Sequence, residues 1–348
     1  MPIVTYRQAL NACLHDEMSK NPDVVVFGED VVGGLGTKGL EERELDEAWG
    51  GVMGVTKGLR RKFGDRVRDT PISESAIVGA AVGAAVSGLR PVVELMYVDF
   101  IGVCLDQLMN QAAKLRYMFG GNAKVPMVVR SMYGAGFSAG AQHSQALYPM
   151  LMHIPGLKVV APSTPQSAYG LLKSAIRDEN PVIFLEHKML YDSKGEVDYS
   201  APDIALGKAA TVRSGDDITI VAVGRMVGIA TEAANQILEE RGIDCEVIDV
   251  QSLAPLDEES ILVSVRKTGH LVVVDEAYPR CGFASEVTSI VAIKGFASLK
   301  APIVAVTPPE IPVPFAPSLE ALYVPDVDSV VGAVEMCMHS GVRSIVSV

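Results

Sequence analysis

A glutamate at the start of a predicted helix is the first residue whose position suggests chemistry. Glu74 lies in the segment 69–76, DTPISESA, and a run of small and apolar residues follows it. A carboxyl group there could hydrogen-bond a bound molecule or exchange a proton with it. A structural role fits equally well, because Ser73 is a good N-cap and a carboxylate is favoured in the first helical turn. The pattern by itself leaves both interpretations open.

A histidine on a glycine-rich loop is the second candidate. His143 lies in the segment AQHSQ, shortly after the run Tyr133–Gly136, YGAG. Loops at the ends of strands often carry reactive groups, and an imidazole transfers protons near neutral pH. A loop histidine that only hydrogen-bonds the backbone fits this pattern equally well.

Other catalytic and nucleotide-binding motifs are either incomplete or absent. The spacing over Gly34–Gly39 matches a dinucleotide-binding turn, but Gly28–Gly33 separates it from the preceding strand. The unit Gly224–Asp249 ends in an acid but lacks the glycine triplet, which favours plain helix-to-sheet packing. No GxxxxGK[ST] or HExxH motif is present. His153 and His187 have no His or Cys neighbour at metal-ligand spacing.

The elements that must position these residues alternate along the chain. A helix is predicted over Tyr6–Lys20, another from Phe100 to about Met118, and short apolar strands bounded by Gly or Pro lie between the helices. This alternation indicates an α/β fold in which each domain is a mostly parallel sheet flanked by helices.

Two domains are expected for a chain of 348 residues. The segment 191–206 interrupts the alternation with charge, Gly and Pro, which is typical of a linker. We therefore predict domains at 1–190 and 207–338, a linker at 191–206 and a tail at 339–348.

Composition and charge exclude several classes of protein. The net charge of -12 and the lack of a basic run with aromatic residues argue against nucleic acid as a partner. The five cysteines are an odd number without a CxxC pair, which argues against a disulfide framework or a zinc site. The N-terminus does not resemble a signal peptide, and the most apolar stretch, Ala76–Leu89, is shorter than the roughly 20 residues that span a bilayer. We expect a cytoplasmic protein with no membrane partner.

Eight longer segments, taken in chain order, resemble a single family. They are DTPISE with its Gly/Ala-rich helix, MYVDF at Met96–Phe100, QAAK at Gln111–Lys114, AQHSQ, PGLKVVAPST, AIRDENPVIFLEHK, VVVDEA and PVP at Pro312–Pro314. Together they resemble the beta subunits of thiamine-diphosphate-dependent 2-oxo acid dehydrogenases over nearly the whole chain. The resemblance implies a pyrimidine-binding domain followed by a domain similar to the transketolase C-terminal domain.

Within that family the acetoin dehydrogenases look most similar. The segments that suggest this are Gly33–Gly36, Asp46–Gly58, YMFGG at Tyr117–Gly121 and HIPGLKVV at His153–Val160. The implied activity is cleavage of acetoin and transfer of the remaining two-carbon unit to lipoamide as an acetyl group. The alternative is a pyruvate-type or branched-chain-type beta subunit, whose 2-oxo acid substrate releases CO₂.

The resemblance also assigns roles to individual residues. Glu74 matches the glutamate that hydrogen-bonds the aminopyrimidine ring of thiamine diphosphate and thereby promotes removal of its C2 proton. Phe100 falls where the family places an aromatic residue against that ring. His143 matches the histidine assigned to proton handling and to the lipoyl acceptor. The turn Asp178–Asn180 resembles a segment that holds a structural monovalent cation such as K⁺ in some relatives, with Asp178 and Asn180 as candidate ligands.

Part of the family's active site is missing from this sequence. Relatives hold Mg²⁺ and the cofactor diphosphate through a GDG motif followed by Asn, whereas this chain has only Ser214–Asp217, SGDD, before a predicted strand. The resemblance therefore implies an alpha subunit that holds the Mg²⁺, an alpha2-beta2 heterotetramer, and docking onto a lipoyl-bearing dihydrolipoamide acetyltransferase. The chain is expected to be inactive without the alpha subunit.

Two rival classes of function make different predictions. A non-catalytic scaffold would use Glu74 only to cap a helix, so its loss would leave activity of the assembled complex intact. A nicotinamide-dependent oxidoreductase would rest on the two glycine patterns above and would bind NAD by itself.

Overall fold

The computed structural model describes residues 1–33 and 50–339, which form two compact units. The first unit contains residues 1–133 and 150–206, and the second contains residues 134–149 and those from 207 onward. The glycine pattern at Gly34–Gly39 and residues 340–348 of the predicted tail lie outside the described residues. None of the helices in the described ranges has the length and apolar character needed to cross a lipid bilayer.

The first unit contains a main parallel sheet with helices and a small separate pair of strands, Ile3–Thr5 and Lys194–Glu196. Its strands are β1 (Ile3–Thr5), β2 (Val24–Gly28), β3 (Val67–Asp69), β4 (Arg90–Tyr97), β5 (Val128–Tyr133), β6 (Lys158–Val160), β7 (Val182–His187) and β8 (Lys194–Glu196). Within this unit the main sheet has the order β6–β7–β5–β4–β2–β3, with every adjacent pair parallel. The strands are mostly buried, as expected for a sheet covered on both faces.

Helices and short helical turns connect these strands. They are α1 (Tyr6–Lys20), α2 (Leu59–Phe63), α3 (Glu74–Val86), α4 (Ala113–Met118), α5 (Tyr148–Met152) and α6 (Pro165–Arg177), with 3-10 turns at Gly64–Arg66, Val98–Cys104 and Lys188–Leu190 and a π-helical turn at Gln107–Ala112. The α1 and α6 helices pack together, and Arg177 donates two hydrogen bonds of 2.8 and 2.7 Å to the Glu17 carboxylate.

The second unit is built on a smaller sheet. Its strands are β9 (Ala210–Arg213), β10 (Ile218–Ala222), β11 (Cys245–Asp249), β12 (Ser252–Ala254), β13 (Leu271–Val274) and β14 (Val304–Val306). Five of them form a sheet in the order β14–β13–β10–β11–β9, in which only β9 is antiparallel to its neighbour. The helices are α7 (Arg225–Arg241), α8 (Glu258–Thr268), α9 (Phe283–Lys294), α10 (Pro317–Tyr323) and α11 (Val327–His339), with a 3-10 turn at Phe296–Ser298.

The predicted helix from Phe100 to Met118 is wrong as a single element. The chain instead forms the 3-10 turn, the π-helical turn and the α4 helix in succession. The first part, VDFIGVC, contains Gly102 and β-branched valines, which are poorer helix formers than Ala or Leu. A π-helical turn inside a helix is frequently found at functional sites.

The segment predicted as a linker is partly ordered in a small sheet. Lys194–Glu196 pairs antiparallel with Ile3–Thr5, and the Tyr6 amide donates to the Ser193 carbonyl at 2.9 Å. Residues 191–206 therefore belong to the first compact unit, while 134–149 belong to the second. The domain limits at 190 and 207 stay predictions.

Helix capping at Thr5 gives a first testable contrast. The Thr5 hydroxyl accepts from the Gln8 amide at 3.3 Å, and the Gln8 side chain accepts from the Thr5 amide at 2.8 Å. Ser73 occupies the N-cap position of α3 but its side chain makes no capping hydrogen bond. We expect Thr5→Ala to lower the free energy of unfolding by about 1 kcal/mol. Urea unfolding should show a smaller change for Ser73→Ala; equal losses would contradict the observed caps.

Candidate active site

The carboxyl ends of three neighbouring strands mark the candidate site in the first unit. Gly28 at the end of β2 is in register with Asp69 of β3 on one side and with Glu94 of β4 on the other. The chain passes from β2 to β3 and then returns across β2 to β4, so the direction of strand addition reverses here. Open α/β sheets bind ligands in the crevice at such a reversal.

Glu74 begins the α3 helix, which follows β3, and its side chain is half-buried. It belongs to a group of nearby carboxyl groups. Burial, followed by the negative charges of Asp30, Glu74 and Glu94, raises the pKa of Glu29 above its ordinary value. A raised pKa favours the protonated form of the Glu29 carboxyl group.

The segment that carries Phe100 lies beside the start of α3. The Ser75 hydroxyl donates to the Val103 carbonyl at 2.5 Å. Burial, and next the charge of Glu74, raises the pKa of Cys104 to about 12, which also indicates that Glu74 lies near this segment. The structure therefore brings Glu74 and the Phe100 segment together, as expected for two residues that contact one ring.

The residues at this position fit a heteroaromatic ring with polar edges. Glu74 and Phe100 are both partly exposed, so part of each side chain is accessible to a ligand. The Thr70 hydroxyl is buried and has no hydrogen-bond partner within the described part of the chain. A buried polar atom without a partner is unfavourable, and a bound polar group would relieve the cost. The pyrimidine half of thiamine diphosphate has the polar and aromatic character that these residues require.

A buried ion network supports this edge of the sheet, and no sequence pattern predicted it. Arg130 donates to Glu94 at 2.7 Å and to both oxygens of Glu186 at 2.7 and 2.8 Å, and the Tyr191 hydroxyl donates to Glu186 at 2.7 Å. Burial raises the pKa of Glu94, although the Arg130 charge opposes that effect. A signal for this network is present in the sequence, because three apolar strands each carry one charged residue in their interior. Charged residues are rarely buried without partners, so these three could have been expected to pair.

His143 belongs to the second unit, on the loop 134–149. Its backbone amide donates to the Gly140 carbonyl at 3.3 Å, and the Gly134 amide donates to the Gln145 carbonyl at 3.2 Å. The His143 side chain is partly exposed, so its imidazole can meet a ligand. Its predicted role in proton handling stays a prediction.

The candidate cation site at Asp178 and Asn180 is already surrounded by cationic groups. The Lys158 ammonium pairs with one oxygen of Asp178, and Asn180 donates to the other oxygen through its amide nitrogens at 2.9 and 2.8 Å. The Arg116 guanidinium donates to the side-chain oxygen of Asn180 at 2.7 Å. Burial raises the pKa of Asp178, but the Lys158 and Asn180 bonds outweigh it and lower that pKa overall. A bound cation would have to compete with these groups, and the site stays a prediction.

The SGDD segment has a structural role in the second unit. The Asp217 carboxylate accepts from the Asp244 amide at 2.8 Å, and the Asp217 amide donates to the Asp244 carbonyl at 2.9 Å. A Cβ on Gly215 would lie 2.3 Å from the Cys245 carbonyl carbon, so the turn packs closely on the neighbouring strand. Residues 1–33 and 50–339 contain no group of three His, Cys, Asp or Glu side chains arranged to hold a metal.

Asp275 in the VVVDEA segment gives a pH-dependent prediction. Burial raises its pKa from 3.8 to about 6, although hydrogen bonds from Tyr148, Ala277 and Ala284 oppose the shift. The folded state thus binds this proton more tightly than the unfolded chain, so the stability that the group contributes falls as pH rises from about 4 to 6.

Asp275→Asn should remove that pH dependence, in addition to a pH-independent loss from mismatched hydrogen bonds. The difference in unfolding free energy between the two proteins should change by about 1 kcal/mol per pH unit within this window and level off above it. Urea unfolding at several pH values measures this difference. Parallel curves would contradict the raised pKa.

Comparisons with known proteins show the family of this chain. Family models for the transketolase pyrimidine binding domain and the transketolase C-terminal domain match residues 3–194 and 207–330. The chain is 53% identical over 338 residues to the beta subunit of acetoin:2,6-dichlorophenolindophenol oxidoreductase from Cupriavidus necator, which covers 97% of this chain and 98% of that protein. It belongs to the family of acetoin and 2-oxo acid dehydrogenase beta subunits.

Other members of this beta-subunit family give a consistent result. The corresponding Bacillus subtilis subunit is 53% identical over 330 residues, covering 94% of this chain and 95% of that protein. The mitochondrial pyruvate dehydrogenase E1 component subunit beta-2 of Oryza sativa is 42% identical over 344 residues, covering 97% and 87%. A split-gene transketolase solved as an inactive beta4 tetramer has a TM-score of 0.78 at 24% identity, covering 97% of this chain and 99% of that one. This last likeness shows the fold, and it confirms the predicted pair of transketolase-like domains.

Proposed function

We propose that this chain is the beta subunit of a thiamine-diphosphate-dependent acetoin dehydrogenase. The observation that carries the proposal is 53% identity, over nearly the full length of both chains, to two acetoin:2,6-dichlorophenolindophenol oxidoreductase beta subunits. The pyruvate dehydrogenase subunit from rice is 42% identical. The substrate would be acetoin, and the product an acetyl group transferred to lipoamide on a dihydrolipoamide acetyltransferase.

The proposal also gives roles to the chain's own residues. When bound, thiamine diphosphate supplies a nucleophilic carbon and accepts the electron pair left by C–C cleavage. The Glu74 carboxyl hydrogen-bonds the pyrimidine ring and holds the proton that activation requires. Phe100 packs against the ring and excludes water from it. His143 transfers a proton to or from the reacting group and serves the lipoyl acceptor.

A separate alpha subunit completes the active site in this proposal. The lack of a metal-holding acidic cluster in the described residues, the SGDD segment's structural contacts and the beta-subunit relatives all support it. The alpha subunit would hold Mg²⁺ and the diphosphate, in a cytoplasmic alpha2-beta2 heterotetramer. The proposal includes K⁺ at Asp178 and Asn180, where the cation would have to compete with Lys158 and Arg116.

The second candidate substrate is pyruvate or a branched-chain 2-oxo acid, which the identity to pyruvate dehydrogenase subunits supports. The chain should be purified with its alpha subunit and supplied with thiamine diphosphate and Mg²⁺. Acetoin, pyruvate and a branched-chain 2-oxo acid are then compared by reduction of 2,6-dichlorophenolindophenol. We expect the highest kcat/KM with acetoin and no turnover with either subunit by itself. Turnover of a 2-oxo acid with none of acetoin would contradict the substrate, and turnover by the beta chain by itself would contradict the alpha requirement.

A further inference from the structure

We propose that Glu320 is a positioning residue that holds the loop carrying His143 in its working conformation. The inference rests on the proposed function, because that function gives His143 its chemical role. Glu320 lies on the α10 helix, outside the motifs that suggested a function from sequence.

The Glu320 carboxylate accepts three hydrogen bonds from the loop. One oxygen accepts from the Gly136 amide at 2.8 Å, and the other accepts from the Ser138 amide at 2.8 Å and the Ser138 hydroxyl at 3.2 Å. Glu320 is only 3% exposed. Hydrogen bonds to a buried carboxylate are stronger than those between neutral groups, so this residue fixes both amides firmly.

The loop has a backbone conformation that needs such support. Gly134, Gly136 and Gly140 have φ values of 92°, 101° and 76°, and Ser138 has a φ of 51°. A positive φ is unfavourable for a residue with a Cβ, so the conformation at Ser138 persists only if surrounding contacts compensate. The bonds to Glu320 act on Ser138 itself and provide this compensation.

A second buried carboxylate holds the beginning of the loop. Glu276 accepts from the Ala135 amide at 2.6 Å and is 4% exposed. Ala135 is fully buried in a small apolar cluster with Val313 and Tyr323. The first residues of the loop are therefore fixed by polar and apolar contacts, all within the second unit.

The space beside Glu320 makes the loop sensitive to its loss. A cavity of about 420 Å³ adjoins the hydrogen bonds between Glu320 and the loop. It is lined by Gly136, Ser138 and Glu320, which form those bonds, and by Arg225 and Asp326. A loop released from Glu320 can move into this space, because close packing does not prevent it. His143 lies five residues beyond Ser138 and would move with the loop. A displacement of about 1 Å can lower a rate by about 100-fold.

The test uses the assembled alpha-beta complex with Glu320→Gln, whose side-chain oxygen can accept from only one of the two loop amides, while its NH₂ group faces the other and cannot accept from it. The matched control is Glu335→Gln, on α11 of the same unit, whose carboxylate pairs with Arg241 at the surface. Hydrogen–deuterium exchange measured by mass spectrometry should be at least about tenfold faster in peptides covering 134–146 for Glu320→Gln only. Unchanged exchange in these peptides would overturn the proposal.

Kinetic measurements then separate positioning from a general structural effect. For Glu320→Gln we expect acetyl transfer to a lipoyl acceptor to fall about 10- to 100-fold, while exchange of the cofactor's C2 proton, assigned to Glu74, stays within about twofold. Equal losses in both measurements would show general damage and overturn the proposal. If the Glu320→Gln chain does not assemble with the alpha subunit, Glu276→Gln weakens the other carboxylate contact to the loop, at the Ala135 amide. It must then lower acetyl transfer without lowering C2-proton exchange for the proposal to stand.

His143→Ala distinguishes failure of this inference from failure of the proposed function. If His143→Ala lowers acetyl transfer and Glu320→Gln does not, the positioning role is wrong and the function of His143 stands. If His143→Ala leaves transfer unchanged, the role proposed for His143 is wrong, and the positioning of its loop has no consequence for the reaction.

Discussion

Glu74→Ala should lower turnover of the assembled alpha-beta complex by about 10²- to 10⁴-fold, the usual contribution of a positioned acid or base. The reason is that the carboxyl group lost is the one proposed to hydrogen-bond the cofactor ring. Exchange of the cofactor's C2 proton, followed by NMR after acid quench, should slow to a similar extent. The free energy of unfolding should change by less than about 1 kcal/mol, since a carboxylate near a helix N-terminus contributes only that much.

Glu286→Ala is the matched control for this experiment. Glu286 also lies in the first turn of a helix, α9, but it is exposed and far in sequence from the strands that form the candidate site. Its replacement should therefore leave turnover and C2-proton exchange unchanged. If Glu74→Ala behaved in the same way, Glu74 would serve only helix α3, and the scaffold hypothesis would be favoured over catalysis.

Arg130→Met should produce the largest loss of stability among the changes considered, about 3–5 kcal/mol at neutral pH. Arg130 is 2% exposed and Glu186 is 1% exposed, so its removal leaves carboxylates buried without their cation. Those carboxyl groups would take up protons in the folded state at a higher pH than in the unfolded chain. The loss should therefore be smaller at pH 5 than at pH 8.

Urea unfolding at both pH values tests this prediction, with Arg241→Met as the control. Arg241 pairs with Glu335 at the surface, where its side chain is 55% exposed, so its loss should change the unfolding free energy by less than about 1 kcal/mol at either pH. Equal effects of the two substitutions would mean that the buried network does not stabilise the sheet edge.

Local sequence patterns predicted the elements that depend on local physics. The amphipathic pattern predicts helix α1 at its observed limits, Tyr6–Lys20, because that pattern lies within one contiguous stretch of the chain. The start of α3 at Glu74 was similarly predicted from Ser73 and the small residues that follow. The structure of the segment Val98–Met118 was harder to predict from sequence. It divides into a 3-10 turn, a π-helical turn and an α-helix, and these three helical forms differ little in local propensity.

The identity of the candidate residues followed from the sequence, but their surroundings did not. Glu74, Phe100 and His143 each lie in a motif that can be recognised along the chain. The network of Arg130, Glu94 and Glu186 depends on the alignment of three parallel strands that are distant in sequence. Such strand pairing is decided by the packing of the whole sheet, so a single charge in each strand did not predict its partners.

By itself the sequence determined the alternation of strands and helices, the family and the residues proposed for chemistry, because these are carried by contiguous motifs and short-range periodicity. Only the tertiary structure decided that residues 134–149 pack with the second unit, and that Glu320 and Glu276 hold that loop. The physical reason is that a buried carboxylate is stable only where backbone donors from a distant segment converge on it. That convergence depends on the fold and has no signal in the order of neighbouring residues.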